Sequence, residues 1–109
     1  MSRANLIRLL FIATLLFVVI FWRLPIVVFS LLTVTSIAIM FLTKWRYWKE
    51  YAICAVAGSF CEVIAISAGA WEYTEAQFLG IPIWLPLAWG SAGVFFVMMS
   101  SRLAKNKKP

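Results

Sequence analysis

The sequence predicts an all-α, polytopic membrane protein: a four-transmembrane-helix bundle with both ends of the chain on the cytoplasmic side. Three observations lead there. Of 109 residues, 64% are hydrophobic and 13% charged, against roughly 25% charged in a soluble domain. The apolar residues fall into four runs, each near the roughly 20 residues that cross a bilayer. The basic residues gather at alternate ends of those runs: of 10 Lys and Arg, only Arg23 falls on the other side. Such a bias orients membrane helices, with the basic side in the cytoplasm.

This length holds one membrane domain over residues 1–109 and leaves no room for a separate soluble one. The expected spans cover residues 5–22, 25–43, 52–70 and 84–101, with a basic tail over 102–109. The expected location is the cell membrane, of the bacterial inner-membrane type. A net charge of +6 does not point to nucleic acid, because the cations cap apolar runs and form no polar stripe. The expected partners are membrane lipid and a second copy or another membrane protein. The sequence has no histidine, which removes the commonest metal ligand and general base. No metal or cofactor set is read from it.

The first run follows Arg3 and Arg8 and resembles a signal peptide. Bulky Phe21, Trp22 and Arg23 stand where small residues would mark cleavage, so the run reads as a retained span. Pro25 ends one helix and suits the first turn of the next. The second span carries Ser30, Thr33, Thr35 and Ser36, whose hydroxyls can bond their own carbonyls or a neighbouring helix. Residues 44–51 interleave Lys44, Arg46 and Lys49 with Trp45, Tyr47, Trp48 and Tyr51, the composition of an interface belt.

The third span is rich in small residues, which let helix backbones approach closely. Gly58, Glu62, Ala65 and Gly69 recur at helical spacing on one face. This helix is therefore expected to be the central one. Cys54 and Cys61, seven residues apart on one helix, stand about 10 Å apart along its axis and cannot bridge; they read as buried packing residues. Residues 71–80 form a loop without basic residues, and Pro82 and Pro86 place an irregular entry before the fourth span.

Glu62 is the main candidate for chemistry. Counted from the expected end of its span, it lies about 12 Å deep, where an ionisable group costs several kcal/mol and usually has a partner or a task. The functional reading is a proton-, cation- or ligand-binding carboxyl. The structural reading is an acid bonded to a neighbouring helix, with Ser30 and Thr33 as partners at similar depth. Glu72, Tyr73 and Trp89, with Trp71, Trp84 and Glu75, are expected to line a mouth above Glu62. The alternative for them is a solvated loop with interface-anchoring rings.

Two resemblances rest on these residues. Glu62 followed by Gly69-Ala70-Trp71-Glu72-Tyr73-Thr74 and by the run 79–89, with Pro86 and Trp89, resembles the membrane carotenoid-biosynthesis family of bacteria and archaea, which includes hydratases acting on long polyenes. The likeness covers about the last half of the chain and implies roles for Glu62, Tyr73, Pro86 and Trp89. The size, the four spans, the lone membrane glutamate and the run Cys61-Glu62-Val63-Ile64 resemble the small multidrug-resistance transporters, which place their acid in the first span. Three functions stay open: a binding or transport unit for a hydrophobic or cationic ligand, an accessory membrane subunit without chemistry, and an isoprenoid- or lipid-modifying enzyme.

Overall fold

The computed structural model describes the backbone of residues 2–74, 76–77 and 79–106. Among the described residues there are four helices and no strand: α1 (Arg3–Phe21), α2 (Pro25–Leu42), α3 (Trp48–Ser67) and α4 (Leu85–Asn106). Glu75 and the end of the basic tail, residues 107–109, lie outside them. The first three helices are long and apolar enough to cross a membrane. The long axis of the molecule is 47 Å, comparable to a bilayer of about 40–45 Å with its headgroups.

Local chemistry explains the helix ends. Ser2 caps α1 by accepting the Asn5 N–H at 3.1 Å, and Pro25 opens α2 at its first position, where its missing N–H costs nothing. Pro86 sits in the first turn of α4. The expected boundaries of α3 shift toward the N-terminus at both ends. Trp48 to Tyr51 belong to its first turn, where Glu50 meets the partial positive charge of the helix end. At the other end Gly69 takes φ +84°, and the N–H groups of Gly69 and Ala70 return to Ile66 O and Ala65 O, both at 3.0 Å. This left-handed closure satisfies the last carbonyls and stops the helix at Ser67. A Cβ on Gly69 would meet nothing within 4 Å, so its conformation, not crowding, calls for glycine.

The expectation that α3 is the central helix is overturned. α4 packs on all three other helices, whereas α3 packs chiefly on α4, and α1 on α2. Gly58 is the buried residue of α3. The small residues act as sockets rather than as a centre. The Trp89 indole fills the space over Gly58, Tyr51 that over Gly90, and Cys54 presses on Gly93. A Cβ on Gly90 would stand 2.6 Å from Tyr51 Cε1, so no side chain fits there. Of the two cysteines, both free, Cys54 thus packs at the interface while Cys61 is exposed.

Hydroxyls tie the remaining helices. Thr14 of α1 donates to Thr35 of α2 at 3.2 Å, and both are buried. The hydroxyls of Ser36 and Tyr51 lie 2.7 Å apart, and that of Ser91 is 3.4 Å from Ser36, joining α2, α3 and α4. The apolar core has two parts. Val28, Leu32, Ile81, Trp84 and Leu85 form one near the 68–84 loop, and Ile39, Met40 and Val94 form the other toward the 43–47 turn.

Replacing Gly58 or Gly93 with Leu should destabilise the fold by about 3 kcal/mol, the upper part of the overpacking range. Phe60→Leu, at a position 64% exposed on the outer face of α3, should change stability by less than about 0.5 kcal/mol. Reversible unfolding by dodecyl sulfate in mixed micelles measures all three.

Candidate functional site

Glu62 stands on α3 five residues before the last residue of the helix, Ser67, about 7.5 Å along the axis. It is therefore closer to the helix end than the sequence suggested, because Gly69 ends α3 early. The same closure turns the chain back over the end of α3. Trp71 donates its indole N–H to Glu62 Oε2 at 2.9 Å, and Tyr73 donates its hydroxyl to the same oxygen at 3.1 Å. Both partners are neutral. Among the described residues no hydrogen bond reaches Oε1. The carboxylate is half-buried, with one oxygen anchored and the other available.

Of the residues expected at the mouth, the structure thus brings Tyr73 and Trp71 onto Glu62. Ser30 and Thr33 are elsewhere engaged: they donate to Ile26 O at 2.9 Å and Phe29 O at 2.8 Å within α2. A hydroxyl one turn from a helical carbonyl finds that acceptor without leaving its own helix. The donors to Glu62 come from the loop, only nine and eleven residues onward in the chain. The sequence signal for them was Gly69, the residue that reverses the chain.

Tyr73 looks two ways. Its hydroxyl holds Glu62, and the residue also lines a cavity of about 310 Å³ with Val18 and Trp22 of the first helical hairpin, Glu72 and Trp84. The Tyr73 phenol is pushed up to about 12, first by burial and then by the charge of the Glu62 carboxylate beside it. It stays a proton donor throughout the neutral range. Glu72 is exposed and reaches this cavity rather than Glu62. Arg23 stacks on Trp22, 4.9 Å from the ring centroid, near the cavity rim. Trp84 is buried in the apolar core, and its indole N–H has no partner among the described residues. Trp89 is taken up by the Gly58 contact. Among the positions the polyene-family resemblance singles out, Glu62 and Tyr73 meet, while Pro86 and Trp89 serve the start of α4 and its packing.

Among the described residues no group of three or more Cys, Asp or Glu side chains is placed to hold a metal ion. The chemistry available at Glu62 is that of a lone carboxylate beside two electron-rich rings. Comparison with protein-family models, curated proteins and solved structures finds no match.

The raised Tyr73 pKa has a definite sign. Its contribution to stability is complete below the ordinary value of 10.0 and is lost as the pH rises toward about 12. The phenolate absorbance difference between the wild type and Tyr73→Phe should rise near pH 12. In Glu62→Gln the midpoint should fall, because the neighbouring charge is gone, yet stay above 10.0 because burial persists.

Proposed function

We propose that this small membrane protein binds a lipophilic organic cation at Glu62, and that binding serves its passage through or release from the membrane. In this reading α4 is the fourth span. Its hydropathy is lower than that of the other three because it includes Gly90, Ser91 and Gly93 and runs on into Ser100, Ser101, Arg102, Lys105 and Asn106. Both chain ends face the cytoplasm of a bacterial-type cell, and Glu62 opens toward the opposite side. Lipid, a second copy or a membrane partner covers the outward apolar faces.

One observation carries the proposal: a half-buried carboxylate, bonded among the described residues through one oxygen and to neutral donors, with an indole and a phenol beside it. A carboxylate without a cationic partner in a membrane setting favours an incoming cation. Aromatic faces add to that preference, by about 0.5–2 kcal/mol where water is excluded. Glu72, which lines the adjoining cavity with Tyr73, offers a second carboxylate to the part of a ligand that enters it.

A second reading has its own support, since the two bonds to Oε2 also fasten the loop onto α3. In that accessory role the carboxylate is a clasp. Tetraphenylphosphonium binding to the purified protein in detergent separates the two. Glu62→Gln keeps an acceptor for Trp71 and Tyr73 but removes the charge. A cation site predicts at least about tenfold weaker binding for Glu62→Gln, equivalent to about 1.4 kcal/mol, with unfolding unchanged. A clasp predicts no change in Glu62→Gln and lower stability in Glu62→Leu. Unaltered affinity in Glu62→Gln overturns the proposed function.

A further inference from the structure

At the other end of the molecule, away from Glu62, α2 and α3 do not pack directly along their length. A cleft of about 240 Å³ runs between them, walled by Ile37 and Met40 on one side and Trp48 and Tyr51 on the other, with Trp45 at its mouth. Leu87 of α4 forms part of its lining. We propose that this cleft holds one acyl chain of an anionic phospholipid, whose phosphate is met by Lys44, Arg46 and Lys49.

Three features select that occupant. The first is the chemistry of the walls. The hydroxyls that border the cleft are already bonded: Thr33 to Phe29 O at 2.8 Å, and Ser36 to Tyr51 at 2.7 Å. The remaining polar side-chain atoms of the lining are the indole N–H groups of Trp45 and Trp48, which suit headgroup depth, and the walls between them suit hydrocarbon. The second is size. A helix about 10 Å across would occupy such a volume within about two residues of its length, so the cleft is too small to seat a partner helix and is suited to a flexible chain. The third is charge. The mouth lies at the 43–47 turn, where Lys44 and Arg46 are exposed, and Lys49 follows in the first turn of α3, also exposed. Glu50 is the only acid in that stretch. Cations on such a surface attract anionic headgroups, each contributing about a fivefold gain in affinity.

The turn itself supports the assignment. Lys44 and Trp45 both adopt left-handed backbone, φ 57° and 60°, which is costly for residues that carry a Cβ. Their N–H groups bond Phe41 O at 3.1 Å and Met40 O at 2.8 Å, closing the end of α2. Glycine would make this closure without strain. With lysine and tryptophan in place, it sets a cation and an indole at the mouth of the cleft instead. Rings also steady the other two cations: Arg46 lies 6.0 Å from the Tyr47 centroid, and Lys49 Nζ 5.7 Å from that of Trp48.

The test uses the full chain in phosphatidylcholine vesicles containing a minority of phosphatidylglycerol, with bromine on the acyl chains of one lipid or the other. The readout is quenching of the fluorescence that Trp45→Phe combined with Trp48→Phe removes. Brominated phosphatidylglycerol should quench this component more strongly, mole for mole, than brominated phosphatidylcholine. Each of Lys44→Gln, Arg46→Gln and Lys49→Gln should lower the apparent affinity for the anionic lipid by roughly fivefold. Ile37→Phe, at an exposed position on the wall of the cleft, should remove the preference without touching the charges. Equal quenching by the two lipids overturns the proposal. A preference that survives Ile37→Phe also overturns it, because the cations would then be gathering lipid at the surface and the cleft would play no part.

Discussion

The close approach of α3 to α4 is the contact on which the rest of the structure depends. In a bilayer, lipid tails are as apolar as leucine, so helices associate through close packing and polar bonds rather than through expulsion of water. Here the closeness is reciprocal. α3 offers Gly58 to Trp89, while α4 offers Gly90 and Gly93 to Tyr51 and Cys54. Tyr51, once seated over Gly90, brings its hydroxyl to Ser36, which carries the interlock across to α2. The arrangement commits α3 to one neighbour. That leaves the cleft toward α2 at one end, and at the other it leaves the last turn of α3 free to be covered by its own loop.

That covering creates the carboxylate site. Glu62 does not draw its partners from a neighbouring helix. A glycine in left-handed backbone ends α3, and the chain doubles back within four residues to set an indole and a phenol on the glutamate. The cost of turning a carboxylate away from water is thus offset locally, by two directed donors and by partial exposure, without a buried ion pair. This arrangement is consistent with a chain whose cations lie mainly at the opposite helix ends.

Much of the architecture was legible in the residues. Pro25 and Pro86 marked helix starts because a proline is tolerated where no N–H is needed. The apolar runs gave the helices, and the run of small residues gave a tight interface. What the residues did not give was which of two helices would stand at the middle. Gly58 on α3 and Gly90 with Gly93 on α4 carry the same signal, and only the three-dimensional contacts rank them. The start of α3 was missed because Lys49 and Glu50 read as loop, although an acid in a first turn favours the helix. Glu62 was found because a lone acid in an apolar run is conspicuous. Ser30 and Thr33 were expected beside it from depth alone, and depth cannot say whether a hydroxyl prefers its own helix. The cleft between α2 and α3 has no signature in any single run of sequence, since its lining comes from three helices and a turn.

The two oxygens of Glu62 are not equivalent, and this has a consequence for isosteric replacement. Trp71 can only donate, so an amide at this position must present its carbonyl inward and its NH₂ outward. Exchanging the acid for its amide would therefore reverse the polarity of the open edge, from acceptor to donor, while leaving the inner edge as it was. At this site, shape and charge can be varied separately by changing a single atom.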